Sequence, residues 1–408
     1  MDEANRGSGT DKQDAKSQFA DLREARVMVV DDNRVNRHLL LALLERGGIS
    51  RVDLAEDGEQ ALARIGGFKP DLMLLDLMMP NLDGFEVCRR LRADPAYANL
   101  PILVQSSLNR AEDRNRAFSA GATDYVSKPI NAVELLSRVR IHIQNRMLLS
   151  SLQLYRQRTA AELTLARDMQ ERLMPQQAQL DKIRQTHGLR LANHFAPSSE
   201  LGGDFWGVRA DDRGRLVVWL VDFAGHGVGA ALNTFRLHAI INQFDFADCG
   251  PDGFDPAGFL AIMNRRLCPL LPTGQYATIL AGVIDPTDNR FLYASGGSTR
   301  PMAWRPGDAE PVLGDNSGLP LGFTASATYE NRSLDLGPGG SLFLYSDAAV
   351  ELPIGDDQIL DEDGLVALVK SHMGEPDGQT FLLHLLTALS AKGDYNDDLT
   401  ALVVTRER

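Results

Sequence analysis

From Arg26 onward, short apolar runs alternate with amphipathic stretches. Val27–Val30, Val52–Leu54, Leu72–Leu75, Ile102–Val104 and Asp124–Val126 read as strands. Arg34–Arg46, Glu59–Ile65 and, after the last strand, Asn131–Ile143 carry apolar positions three and four residues apart and read as helices. Strand and helix alternating in this way predict a parallel sheet covered on both faces. The residues before this pattern, Met1 to about Leu22, are polar and charged with no apolar face, and are expected to form a disordered tail.

The helical text does not stop at Ile143. It continues without a strong breaker to Met174, where Pro175 ends it. Ile141, Asn145, Leu148, Leu152, Tyr155, Thr159, Glu162, Ala166, Met169 and Leu173 recur by threes and fours, and most of them are apolar. This heptad-like seam, imperfect in its middle, predicts a parallel dimeric coiled coil. The competing reading is one amphipathic helix packed on its own domain.

Beyond about Leu189 the period changes again. Leu216–Val221, Ala277–Ile284, Arg290–Ala294, Leu342–Tyr345 and Leu399–Val404 read as strands, and Gly229–Phe244, Ala257–Leu267, Asp363–Lys370 and Thr380–Leu389 as helices. Gly- and Pro-rich turns separate them, as in a mixed α/β domain with largely antiparallel sheets. The 408 residues then divide into a tail (1–24), a parallel-sheet domain (25–145), a helical linker (146–175) and a second domain (176–408).

Composition narrows the function. No segment reaches the run of about 18 apolar residues that spans a bilayer. The N-terminus lacks the basic-then-apolar pattern of a secretory signal. Cys88, Cys249 and Cys268 lie far apart and form no disulfide framework, so a cytoplasmic location is expected. Residues 176–408 hold 30 acidic and 17 basic side chains, so the net charge of −13 resides in the second domain. An acidic output domain repels nucleic acid and suits one that collects divalent cations.

The first chemical constellation lies at the strand ends. Asp31 and Asp32 follow Val27–Val30, and Asp76 follows Leu72–Leu75. In a parallel α/β sheet, functional groups gather outside the carboxyl ends of the strands. Carboxylates meeting there repel unless a divalent cation joins them, and oxygen-only ligation is what Mg²⁺ favours. Ser106 and Lys128 fall at two further strand ends, placed to hold the oxygens of a phosphoryl group carried by Asp76 as nucleophile.

Residues Val27 to Ile143 resemble a response-regulator receiver domain, through VMVVDDN, LLDLMMPNLDGFE and GATDYVSKP. The resemblance implies a flavodoxin-like (βα)5 fold and a phosphoacceptor, Asp76. It implies Mg²⁺ held by Asp32, Asp76 and the Met78 carbonyl, with Asp31 acting through water. It also implies a switch made of Ser106, Tyr125 and Lys128, with a sensor histidine kinase as phosphodonor. Gln105–Ser106–Ser107 departs from the commoner Thr-Ala pair but keeps the hydroxyl.

The second constellation is acidic too. Asp204 lies in Leu201-Gly-Gly-Asp-Phe-Trp206, Asp222 closes Leu216–Val221, Asp347 follows Leu342–Ser346, and Asp397–Asp398 precede Leu399–Val404. Aspartates brought to one sheet end without basic partners need cations, and two-metal sites of this kind activate water. Nearby glycines let backbone approach the metals. A rival reading takes Gly225-His-Gly227-Val-Gly229-Ala230, with Asp245 twenty residues on, as a dinucleotide-binding turn. Asp222 would then repel the pyrophosphate, and Asp204, Asp347 and Asp397 would have no role.

Residues from about Ala161 onward resemble the bacterial PPM-type serine phosphatases of stress and sporulation signalling, through ARDMQERLMP, ELGGDFW, DFAGHGVGAAL, YATILAGVID, GLPLGF, LYSDAAVE and NDDLTALVV. The resemblance implies an α/β/β/α sandwich joined to the receiver by the long helix. It implies two Mn²⁺ or Mg²⁺ ions bridged by Asp222, with the Phe223 carbonyl, Asp347 and Asp397 at one and Asp204 at the other. The implied substrate is a phosphorylated anti-sigma-factor antagonist. Gly207, Ala348 and Ser298 depart from the family's commoner Asp, Gly and His, and His226 is a possible proton donor. A non-catalytic, phosphorylation-gated scaffold is the alternative to an enzyme.

Overall fold

The computed structural model describes residues 22–106, 111–225, 227–246, 253–355 and 358–407. The N-terminal tail expected before Leu22, and also Ser107, His226 and Cys249, lie outside the described residues. The chain forms two compact units that divide between Thr159 and Ala160.

The first unit alternates β1 (Arg26–Val30), α1 (Arg34–Arg46), β2 (Arg51–Ala55), α2 (Gly58–Phe68), β3 (Leu72–Asp76), α3 (Gly84–Ala93), β4 (Ile102–Ser106), α4 (Ala111–Ser119) and β5 (Asp124–Ser127). The strands form one parallel sheet in the order β2-β1-β3-β4-β5. All five residues of β3 are buried, as a central strand covered on both faces requires. Alternate residues feed the two cores: Met73 and Leu75 pack on one face, Leu72 and Leu74 on the other. Side-chain caps start the helices on cue. Asn33, Asp57 and Asp83 each accept a backbone N–H at the N-terminus of α1, α2 and α3.

α5 (Ala132–Glu171) is a single helix of 40 residues, about 60 Å long at the usual rise. Its first turns bury Leu135, Val139 and Ile143 in the core of the first unit. Further along, Leu148, Leu152, Tyr155 and Met169 of the heptad-like seam are exposed.

The second unit continues with α6 (Gln177–His187), β6 (Leu189–Ala196), β7 (Asp204–Ala210), β8 (Leu216–Phe223), α7 (Val228–Asn242) and α8 (Pro256–Leu267). Then come β9 (Ala277–Asp285), β10 (Arg290–Gly296), β11 (Met302–Trp304), β12 (Val312–Leu313), β13 (Arg332–Asp335) and β14 (Ser341–Tyr345). β15 (Pro353–Gly355), β16 (Gln358–Ile359), α9 (Asp361–His372), α10 (Gly378–Ser390) and β17 (Leu399–Arg406) complete it. Two antiparallel sheets, β13-β10-β9-β8-β7 and β12-β11-β14-β17-β6, stack face to face.

Strand alternation builds four layers from this. In β8, Leu216, Val218 and Leu220 point into the space between the sheets, while Val217, Trp219, Val221 and Phe223 point outward against Leu237, Ile241, Phe259 and Met263 of α7 and α8. In β14, Leu342 and Leu344 point inward, while Phe343 and Tyr345 meet Leu365, Phe381, Leu385 and Leu389 of α9 and α10. The result is an α/β/β/α sandwich. Among the described residues no helix is long and apolar enough to cross a membrane.

Candidate phosphoacceptor and active sites

In the first unit, the carboxyl ends of β1 and β3 bring Asp31, Asp32 and Asp76 together, one oxygen of each within 4.8 Å of the others. Asp31 and Asp76 are buried and Asp32 is exposed. The Lys128 ammonium reaches in from the end of β5 and donates to Asp76 Oδ2 at 2.6 Å and Asp31 Oδ2 at 3.2 Å. Burial pushes the Asp76 carboxyl above its ordinary range despite the lysine, whose pull downward is smaller. Burial lowers Lys128, but its bonds and charge contacts with the two aspartates outweigh that and raise it. Both groups therefore hold their protons more tightly than they would in water.

The surrounding chain fixes these groups. Asp31 accepts the Asn33 N–H at 2.8 Å and the Asn36 amide at 3.3 and 3.2 Å. Met78 donates its N–H to Asp76 Oδ1 at 3.3 Å. Gly84 lets the start of α3 lie on Asp76, since a Cβ there would fall 2.3 Å from the Asp76 carbonyl oxygen. Ser106 is the last residue of β4 and accepts the Lys128 N–H on its carbonyl at 2.9 Å. Tyr125 lies on β5, its hydroxyl accepting from Arg114 at 3.0 Å and its ring flanked by the Arg114 and Arg138 guanidiniums.

In the second unit, β7 and β8 place Asp204 directly opposite Asp222. Asp347 begins a short 3-10 turn after β14, and Asp397 stands just before β17, the partner strand of β14. Asp204 is 1% exposed, and neither of its carboxylate oxygens has a hydrogen-bond partner in good geometry. Burial first, and the charge of Asp222 second, push its carboxyl well above the ordinary range; the nearby Thr400 and Ser346 hydroxyls offset only part of this. Burial and the charges of Asp347, Asp397 and Asp398 push Asp222 up to about 7. Burial, Glu351 and Asp397 push Asp347 up to about 6. Asp397 itself is exposed.

These mutual effects mean that the four carboxylates share one electrostatic site. They are more widely spread than the receiver trio, since no three of their donor oxygens fall within 4.8 Å. Beside it, a pocket of about 240 Å³ is lined by Asp222, Asp347, Thr278, Ser298, Asn316 and Ser346 among others.

Backbone glycines explain the Gly-Gly-Asp sequence. A Cβ on Gly203 would lie 2.7 Å from the Phe223 carbonyl oxygen, and one on Gly202 would lie 2.8 Å from the Asp398 carboxylate. The departures from the family are accommodated too. The Trp219 ring fills the space a side chain at Gly207 would need, at 2.3 Å. Ala348 is buried in the 3-10 turn without positive φ. Ser298 lines the pocket.

Two residues that sequence reasoning passes over hold the loop before Asp204. Asp398, which reads in the sequence only as half of an acidic pair, is buried and accepts the N–H groups of Ser198 and Gly203. Gln170, on the last turns of α5, is 2% exposed. Its amide donates to the Gly202 carbonyl at 2.6 Å and accepts the Gly202 N–H at 3.1 Å. A glutamine near the end of a polar helix carries no distinguishing signal. Its closeness to the apolar pair Leu173 and Met174 is the one clue.

Comparison with known proteins relates each unit to a known family. The family model described as Response regulator receiver domain matches residues 27–140. The one described as Stage II sporulation protein E (SpoIIE) matches residues 212–407. Response regulator PleD of Caulobacter vibrioides is 40% identical over 137 residues, covering 34% of this chain and 29% of its own. Response regulator MprA of Mycolicibacterium vanbaalenii is 46% identical over 115 residues, covering 28% of this chain and 48% of its own. The chain thus spans less than half the length of these relatives. The SiaA-PP2C domain of Pseudomonas aeruginosa superposes with a TM-score of 0.51 at 19% identity, covering 61% of this chain and 97% of that one, and shares the fold of the second unit. Residues 27–140 thus carry a response-regulator receiver domain, and residues 212–407 a PPM-type phosphatase domain of the SpoIIE kind.

Proposed function

We propose that the chain is a phosphorylation-controlled, metal-dependent protein serine/threonine phosphatase acting in the cytoplasm. The observation that carries this reading is the convergence of Asp204, Asp222, Asp347 and Asp397, with neither buried oxygen of Asp204 in a well-formed hydrogen bond. A buried carboxylate this poorly satisfied is costly, and a cation is the partner that removes the cost. An all-oxygen donor set suits Mn²⁺ or Mg²⁺. Asp204, Asp222, Asp347, Asp397 and the Phe223 carbonyl would hold the ions. Such ions supply hydroxide near neutral pH and neutralise phosphoryl oxygens. The pocket lined by Thr278, Ser298 and Asn316 would receive the phosphoester and orient it for attack without a covalent enzyme intermediate.

In the receiver, Asp31, Asp32, Asp76 and the Met78 carbonyl would hold Mg²⁺, which shields the carboxylate from the incoming phosphoryl group. The Asp76 oxygen attacks the phosphorus of a histidine kinase's phosphoimidazole, a new O–P bond forms as the N–P bond breaks, and the imidazole leaves. Lys128 and Ser106 hold the transferred oxygens, and Tyr125 reports the change. We take 25–145 as receiver, 146–175 as linker and 176–408 as phosphatase domain. The exposed seam of α5 supports a homodimer formed through the linker, whose packing would carry the receiver's state to Gly202 through Gln170. The substrate class is a serine-phosphorylated anti-sigma-factor antagonist. The test is release of phosphate from such a protein by the full chain, with Mn²⁺, with and without beryllofluoride. A rate that changes with beryllofluoride supports the reading; binding of the phosphoprotein without turnover in either state makes the chain a scaffold.

A further inference from the structure

A second kind of donor cluster lies away from the acidic sites, on the outer helical layer of the phosphatase domain. His372 is the last residue of α9, Glu375 stands in the turn that follows, and His384 lies on α10. One donor atom from each falls within 4.8 Å of the others. Glu375 Oε1 is 2.6 Å from His384 Nδ1 and 3.8 Å from His372 Nδ1. Around a tetrahedral ion with bonds of about 2.0–2.1 Å, neighbouring ligand atoms sit roughly 3.3 Å apart, so these distances bracket the required geometry.

The helical hairpin holds the cluster in place. Val369 and Phe381, three residues before the two histidines, are buried in the core against the second sheet, as is Leu385. Asp377 caps α10 by accepting the Thr380 N–H at 2.9 Å. Among the described residues no lysine or arginine pairs with Glu375; nearby Lys370 is engaged by Glu310 at 2.7 Å. A cavity of about 560 Å³ lies beside two of the three donors, lined by His372 and Glu375 together with Arg190 and Asp377.

We infer that His372, Glu375 and His384 bind a zinc ion. Two imidazoles and one carboxylate select a borderline ion over the hard Mg²⁺ that the aspartate sites favour. Zinc here ties the C-terminus of α9 to the second turn of α10, and so clamps the hairpin that covers β14 and β17.

The test uses the full chain, stripped with a chelator and held in excess Mg²⁺ to fill oxygen-only sites. Co²⁺ is the spectroscopic probe for the zinc position. Wild type is expected to bind one equivalent of Co²⁺ with a visible absorption band that Zn²⁺ bleaches, and Zn²⁺ is expected to raise its melting temperature. His384→Ala and His372→Ala should each lose the band and the thermal shift, while Asp222→Asn keeps both. Glu375→Gln, which disturbs packing least, should weaken Co²⁺ by about tenfold or more. No band in wild type, or a band that survives both histidine substitutions, overturns the assignment. Neither result bears on the phosphatase reading, which rests on other residues.

Discussion

The receiver and the phosphatase domain both gather aspartates at strand ends, yet they balance the charge in opposite ways. The receiver brings its own cation: Lys128 touches both Asp76 and Asp31. Among the described residues no lysine or arginine pairs with Asp204, Asp222 or Asp347, and burial drives all three carboxyls upward. The first site carries part of its own counter-charge. The second is a set of buried carboxyls with no counter-charge of its own. A built-in counter-charge suits a switch, and uncompensated charge suits a site that gathers cations.

The comparison breaks most sharply at Asp222. Asp222→Asn should lower Mn²⁺-dependent hydrolysis of p-nitrophenyl phosphate by about a thousandfold or more, while acetyl phosphate still labels Asp76. Loss of both activities would show that the two sites are not independent, and retained hydrolysis would remove Asp222 from the chemistry.

Gln170→Ala comes next. It leaves the N–H and carbonyl of Gly202 unpaired in a buried setting, a cost of about 1–3 kcal/mol. The Mn²⁺ concentration for half-maximal hydrolysis should rise about tenfold, with receiver labelling unchanged. An unaltered Mn²⁺ response would mean that the linker helix does not position the loop before Asp204.

The titration of the metal-free protein sharpens the contrast further. Carboxyls raised to about 6 at Asp347 and about 7 at Asp222 hold protons in the folded chain that the unfolded chain releases near pH 4. Folded protein therefore binds more protons across that window, and its stability falls as pH rises. Calorimetry without metal should show the phosphatase domain melting several degrees lower at about pH 7.5 than at about pH 5. Mn²⁺ should reverse the trend, because the ions replace the protons. A melting temperature that climbs with pH in the absence of metal would contradict the charge assignment.

The smallest effect on chemistry is expected on the seam of α5. Leu152→Glu, on an exposed position, should shift the protein toward monomer in light scattering while basal hydrolysis stays within about twofold. Wild type that is already monomeric would leave the seam without its dimer.

Much of the fold and of both acidic sites is legible in the amino-acid sequence itself. The receiver's strand–helix alternation and its acids at Asp31, Asp32 and Asp76 can be read there because a charged residue ending an apolar run has one natural place, the sheet end. Asp222 and Asp347 are legible for the same reason. What the sequence hides depends on pairing across the sheet and across long separations. The strands β6 and β7 and the helix α6 lack a strong period, so the direct opposition of Asp204 and Asp222 has no local signature. The neighbours Asp397 and Asp398 look alike in sequence, but one is exposed beside the site and the other is buried as an acceptor for the loop at Ser198 and Gly203. Gln170 resembles any polar helix residue until the loop it grips is seen.

The most direct measurement is a Mn²⁺ titration of the chelator-stripped protein, following ion binding by electron paramagnetic resonance and hydrolysis in the same samples. The account predicts that hydrolysis appears only as two ions fill the phosphatase domain, and that Asp222→Asn abolishes both the pair and the activity. Hydrolysis by the stripped protein, or full Mn²⁺ occupancy in Asp222→Asn, would contradict it.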